Sequence, residues 1–219
     1  MSWRWGVTRP HILIDFDSWR PFLGLVLFCG GALVFSIPGG RVVRDLAPAS
    51  YALRLPTFFY AYALTMGLLG LALGTASAER GERGARMLFW LTLRVLLGQL
   101  LCLPYLVFSR ALFPGREGAV VLIFVLTTLV SLLCATFSRL TERPTPWRSS
   151  TGSAKYLVFL CYYAIPLAGM PLLSPLGAVR SLLDGVAPLW ALLAFAVPTA
   201  LLAVLAPLAV RLGGSRAHV

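Results

Sequence analysis

The chain alternates long apolar runs with short polar breaks. Six runs stand out, at about 21–38, 56–77, 87–109, 118–138, 155–174 and 187–210. Five match the ~20 residues needed to cross ~30 Å of hydrocarbon, and the first is the shortest that spans comfortably. In lipid the backbone must satisfy its own polar groups, so such runs read as helices. The ~10-residue alternation of membrane barrel strands is absent from the pattern. The expectation is an all-α polytopic membrane protein with six transmembrane helices, forming a single transmembrane domain over residues 1–219.

The breaks differ in kind. Residues 11–20, "HILIDFDSWR", place Ile12, Phe16 and Trp19 at helical spacing with Asp15, Asp17, Ser18 and Arg20 around them. This predicts an N-terminal amphipathic helix at about 10–20, lying on the membrane interface. Residues 76–87, "ASAERGERGARM", hold five charges and two glycines between two apolar runs. The loop at 39–55 is too short for an external domain and that at 110–117 is a tight turn, while "RLTERPTPWRSSTGSAK" is polar and rich in turn residues, a flexible connection. Residues 171–188, "PLLSPLGAVRSLLDGVAP", are neither a clean loop nor a clean span, which points to a short re-entrant element before span six.

Composition supports the bilayer as solvent. The chain is 58% hydrophobic and 12% charged, about half the charge of a soluble domain. The net charge of +11 does not read as nucleic-acid binding, because the basic residues flank the spans instead of forming one patch. With six spans both termini share a side. That side, with loops 2–3 and 4–5, carries 12 basic residues, the other side carries 6, and Arg94 lies inside a span. The positive-inside rule therefore places both termini and "ASAERGERGARM" in the cytoplasm. No convincing cleavable signal peptide precedes the first run.

Catalytic chemistry is sparse. His11 and His218 lie near the termini, and all eight acidic residues lie in loops or at span ends. A zinc hydrolase, a Ser–His intramembrane hydrolase and a proton-coupled carrier each need groups this chain lacks within its spans. The expectation is no catalytic, metal or cofactor site in the chain. Cys29, Cys102, Cys134 and Cys161 fall one per span in four spans and read as apolar packing residues. Gly70 and Gly74 form a small-xxx-small pair suited to close helix packing. Arg94 either faces a cavity or pathway, meeting an anionic lipid or a cytoplasmic acid such as Glu79 or Glu82, or it snorkels to the interface. Tyr60, Tyr62 and Gln99, with Thr127, Thr128 and Ser131, either line an inner path or bond between helices.

Three local features, with the six-span layout, carry a resemblance. They are "HILIDFDSWR" before span one, "AERGERGARMLFWL" joining spans two and three, and "LSPLGAVRSLLDG" before span six. In these the chain resembles the membrane subunits of type-2 ABC transporters, six-span permeases that pair with a separate ATPase. It departs from that pattern at Gly84-Ala85-Arg86, where the family has Thr after Gly. The resemblance implies a cytoplasmic coupling helix between spans two and three, with Glu79, Arg80, Glu82 and Arg83 as ATPase contacts. It further implies a second permease chain, ATP and Mg on the partner ATPase only, export or flipping of an amphipathic substrate, and residence in the bacterial inner membrane. A non-transporting scaffold subunit of a larger complex is the alternative from the residues alone.

Overall fold

A computed structural model describes residues 16–36, 48–80, 82, 84–112, 117–141, 155–159, 161–163 and 173–215. Its regular elements are all helices among these residues: α1 (Phe16–Ser36), α2 (Pro48–Glu79), α3 (Gly84–Leu112), α4 (Glu117–Thr141), α6 (Pro175–Asp184) and α7 (Pro188–Ser215). Between α4 and α6, residues 155–159 and 161–163 are helical and are labelled α5. Among the described residues, four stretches are long and apolar enough to cross a bilayer: Pro56–Glu79, Gly84–Ser109, Gly118–Thr141 and Pro188–Leu205. They match the expected spans two, three, four and six. The expected first span is a shorter apolar helix, Arg20–Val34, within α1. Of the expected fifth span, residues 160 and 164–172 lie outside the described residues.

Two expected elements take a different form. Residues 16–20 are the opening turns of α1, continuous with its apolar part, so over these residues no separate interfacial helix exists. Residues 10–15 of that segment lie outside the described residues. Nor is the expected coupling helix an element of its own: α2 runs on to Glu79 and α3 begins at Gly84, leaving four residues between them. The good helix formers Ala76, Ala78 and Glu79 extend α2 beyond the apolar run, since helix propensity does not stop at the membrane boundary. Gly84 takes a φ of 60°, the left-handed geometry that glycine adopts without steric penalty, where the chain turns into α3.

α2 is the centre of the bundle and packs against α1, α3, α4 and α6; α4 packs in turn against α7. Within the candidate spans, 67% of the α2 window is buried and only 17% of the α7 window, which makes α2 the core helix and α7 a peripheral one. Its apolar core residues Phe58, Phe59, Tyr62 and Met66 are fully enclosed. Glycine makes the α2–α4 contact possible. A Cβ on Gly70 would run into the Ser131 carbonyl, and one on Gly74 into the Ala135 carbonyl. Interhelical hydrogen bonds reinforce this seam: Ser131 Oγ donates to Met66 O (2.8 Å) and Ser138 Oγ to Leu71 O (2.9 Å). Small residues that let backbones approach, with hydroxyls that bond across, are the usual adhesive between helices in lipid.

The segment before α7 is a short, strongly capped helix. Ser174 accepts a hydrogen bond from Gly177 N (3.0 Å), Pro175 opens the first turn, and Gly185 closes α6 in the left-handed conformation. Ala178, Val179, Leu182 and Leu183 face the bundle, while Arg180 and Asp184 face out. The expected short element before the last span is thus a helix.

Candidate functional site

The α2–α3 turn is held by its own charged residues. Glu82 carries most of the bonds. Its carboxylate accepts two hydrogen bonds from Arg94, Nη2 to Oε1 at 2.7 Å and Nη1 to Oε2 at 3.1 Å, and a third from Ser77 Oγ at 2.8 Å. The Glu82 carbonyl accepts from Arg139 Nη2 of α4 at 3.0 Å, and its amide donates to Ser77 O at 3.3 Å. The two side chains retain only 16% (Arg94) and 11% (Glu82) of their exposure, so the pair is largely withdrawn from solvent. Arg94 also lies 5.7 Å from the Trp90 ring centroid, within cation–π range. The fork geometry of a guanidinium on a carboxylate makes this a directional clamp.

This placement separates the four residues expected to contact a partner. Glu82 is turned inward and joins α2, α3 and α4. Glu79 and Arg80 are exposed on the turn. Arg83 lies outside the described residues. Of the readings open for Arg94, the contact with a nearby acid is the one observed: almost three turns into α3, its side chain runs back towards the helix start, as helical side chains do.

A second polar cluster lies at the same pole. Lys155 is buried, and its Nζ donates to Thr75 Oγ1 at 2.5 Å; Thr75 Oγ1 lies 3.1 Å from Ser138 Oγ. Thr75 and Ser138 also each bond to the Leu71 carbonyl. Nothing in the sequence marked Lys155 as anything but a loop cation. Its partner Thr75 lies 80 positions away, beyond the reach of any local pattern.

The third cluster is in the bundle's middle. Tyr62 OH donates to Gln99 Oε1, and Gln99 Nε2 donates to Thr127 Oγ1 (3.0 Å) and Thr128 Oγ1 (2.9 Å). Thr127 and Thr128 pass the bond on to carbonyls of their own helix. Gln99 and Tyr62 are fully enclosed, and Tyr60 is half-buried. Both donors and the acceptor of Gln99 are therefore engaged, and the cluster joins α2, α3 and α4 as a polar pin. Tyr62→Phe leaves Gln99 Oε1 without its donor. It is expected to lower bundle stability by about 1 kcal/mol, the scale of interhelical bonds in membranes, as read by the midpoint of unfolding in a detergent–denaturant titration.

Cys29 and Cys102 approach to 3.9 Å between sulfurs across α1 and α3 and are enclosed by apolar neighbours. No group of three metal-ligating side chains occurs among the described residues. The fold and these clusters define an all-α bundle with four helices able to cross a membrane, pinned by polar clusters on its core helix. Comparison with family models, with curated proteins and with solved structures finds no match to this chain.

Proposed function

We propose that the chain is the permease subunit of an ATP-driven transporter of the ABC type. In this reading a cytoplasmic ATPase grips the α2–α3 turn, a second permease chain completes the pathway, and an amphipathic or hydrophobic substrate is exported or flipped. The protein resides in a bacterial inner membrane with both termini in the cytoplasm.

The observation that supports it is the braced turn. Exposed Glu79 and Arg80 sit on a turn that Glu82 ties to Arg94 of α3, Ser77 of α2 and Arg139 of α4. A docking element has to pass rigid-body motion to the spans, and a turn bonded to three helices moves with them. Glu79 and Arg80 would contact the ATPase, while Glu82 holds the turn in shape.

The test is co-purification with an ABC ATPase encoded beside this chain. The double reversal Glu79→Lys with Arg80→Glu is expected to lower ATPase recovery about tenfold or more, a loss of ~1.4 kcal/mol or more, with an unchanged unfolding midpoint. Undiminished recovery from a folded variant defeats the reading. The enclosed Tyr62–Gln99–Thr127 cluster favours the alternative, a scaffold subunit, because those polar groups bond to one another. A scaffold would hold its partners yet support no ATP-dependent substrate movement in proteoliposomes.

A further inference from the structure

An open apolar groove of 290 Å³ runs between α1 and α2. Its walls include Leu25 and Phe28 on one side and Leu64, Leu68 and Ala72 on the other. Gly24 forms a notch in the α1 wall: a Cβ there would meet nothing within 4 Å. Phe28 and Leu68 remain exposed along its edge at 52% and 39%, so the groove is open sideways, towards what surrounds the bundle.

The groove lies in the part of α1 nearest its N-terminus and the part of α2 nearest its C-terminus. Arg20, exposed, is the residue just before the groove-lining Pro21. Arg80 and Arg86, also exposed, stand at the same pole. Glu79 is exposed at this pole too, so the three arginines leave it net cationic, and an apolar channel with such an end is complementary to a molecule with a hydrocarbon chain and an anionic head. Basic residues at a membrane surface draw such lipids, and an unfilled channel forfeits dispersion contacts along its whole length. The groove runs along α1 from Pro21 to Phe28, about 10 Å. The upper part of a single hydrocarbon chain fits along that length, whereas a helix 10–12 Å across would insert only a side chain.

We propose that this groove holds one acyl chain of an anionic phospholipid, with the headgroup at Arg20. The site depends on membrane embedding and not on the transporter reading, so either can fail alone.

The test is native mass spectrometry of the delipidated full chain, titrated with phosphatidylglycerol or with phosphatidylcholine of the same acyl chains. Wild type is expected to retain one phosphatidylglycerol in preference to phosphatidylcholine. Arg20→Gln, at an exposed position, is expected to lower that preference about fivefold while phosphatidylcholine still binds. Gly24→Leu fills the notch and is expected to abolish retention of both lipids. The proposal is overturned if Arg20→Gln leaves the preference unchanged, or if a folded Gly24→Leu retains lipid as wild type does. It is equally overturned if wild type appears at twice the chain mass and Gly24→Leu returns it to one chain, since the groove's occupant is then a second copy.

Discussion

Replacing Gly70 with leucine is expected to destabilise the packed bundle strongly. The α2 backbone at this position approaches α4 so closely that even a methyl group would run into the Ser131 carbonyl. The obstacle is backbone, which cannot rotate aside as a side-chain tip can. Relief requires moving α2 away from α4, and that movement breaks the Ser131–Met66 and Ser138–Leu71 bonds along the same seam. Overpacking of a well-filled core costs ~1–3 kcal/mol and occasionally more, and loss of the interhelical bonds adds to it. A destabilisation of about 3 kcal/mol or more is expected, large against the ~5–15 kcal/mol of a typical folded domain. The measurement is the denaturant midpoint in detergent, with Gly31→Ala as the control. A Cβ on Gly31 meets nothing within 4 Å, so that change is expected to be neutral or slightly stabilising, because Ala is the better helix former. Equal effects at Gly70 and Gly31 would show that the α2–α4 seam is not the close contact described.

The second large effect is expected at the turn clamp. Glu82→Ala leaves Arg94 with its charge largely withdrawn from water and no carboxylate to meet it; Arg94→Ala leaves Glu82 in the converse position. Breaking a buried pair costs ~3–5 kcal/mol when one partner is left behind. The exposure that remains, 16% and 11%, lowers the expectation to about 2–3 kcal/mol for each single change. Removing both leaves no uncompensated charge, so the double variant is expected to lose well under the sum of the singles. A coupling of about 1–2 kcal/mol in the double-mutant cycle would mark the pair as the clamp of this turn. Additive losses would mean that the two residues do not act together. The cycle also separates structure from recognition: Glu82 variants are expected to shift stability, whereas reversal of Glu79 and Arg80 is expected to leave it unchanged.

Much of the fold is legible in the residues because lipid imposes a simple rule. A backbone in hydrocarbon must bond to itself, so a run such as 118–138 becomes a helix whatever its neighbours do, and α4 covers it. The local caps of α6 are equally legible: Ser174, Pro175 and Gly185 each act within a turn of their own position. Where sequence boundaries failed, a continuous propensity was read as a break. Residues 76–79, Ala-Ser-Ala-Glu, open the charged stretch yet continue α2, and that stretch forms two helix ends and a turn instead of a separate helix.

What the sequence by itself determined is the class of structure: apolar helices of spanning length, polar turns between them, and a small-residue pair, Gly70 and Gly74, suited to close helix packing. What only the tertiary structure decided is which side chains meet. Arg94 finds Glu82, Lys155 finds Thr75, and Gln99 joins Tyr62 to Thr127. These contacts depend on how each helix is rotated about its axis and how far it slides against its neighbour. Both quantities are set by interdigitation of all the side chains at the seam at once, and neither is written in the spacing of residues along one helix. The same rotation sorts chemically identical residues into different roles, pressing Gly70 against a carbonyl while Gly24 and Gly31 face open space; the path of the α2–α3 turn does the same for Glu82, held inward while Glu79 at the end of α2 stays exposed.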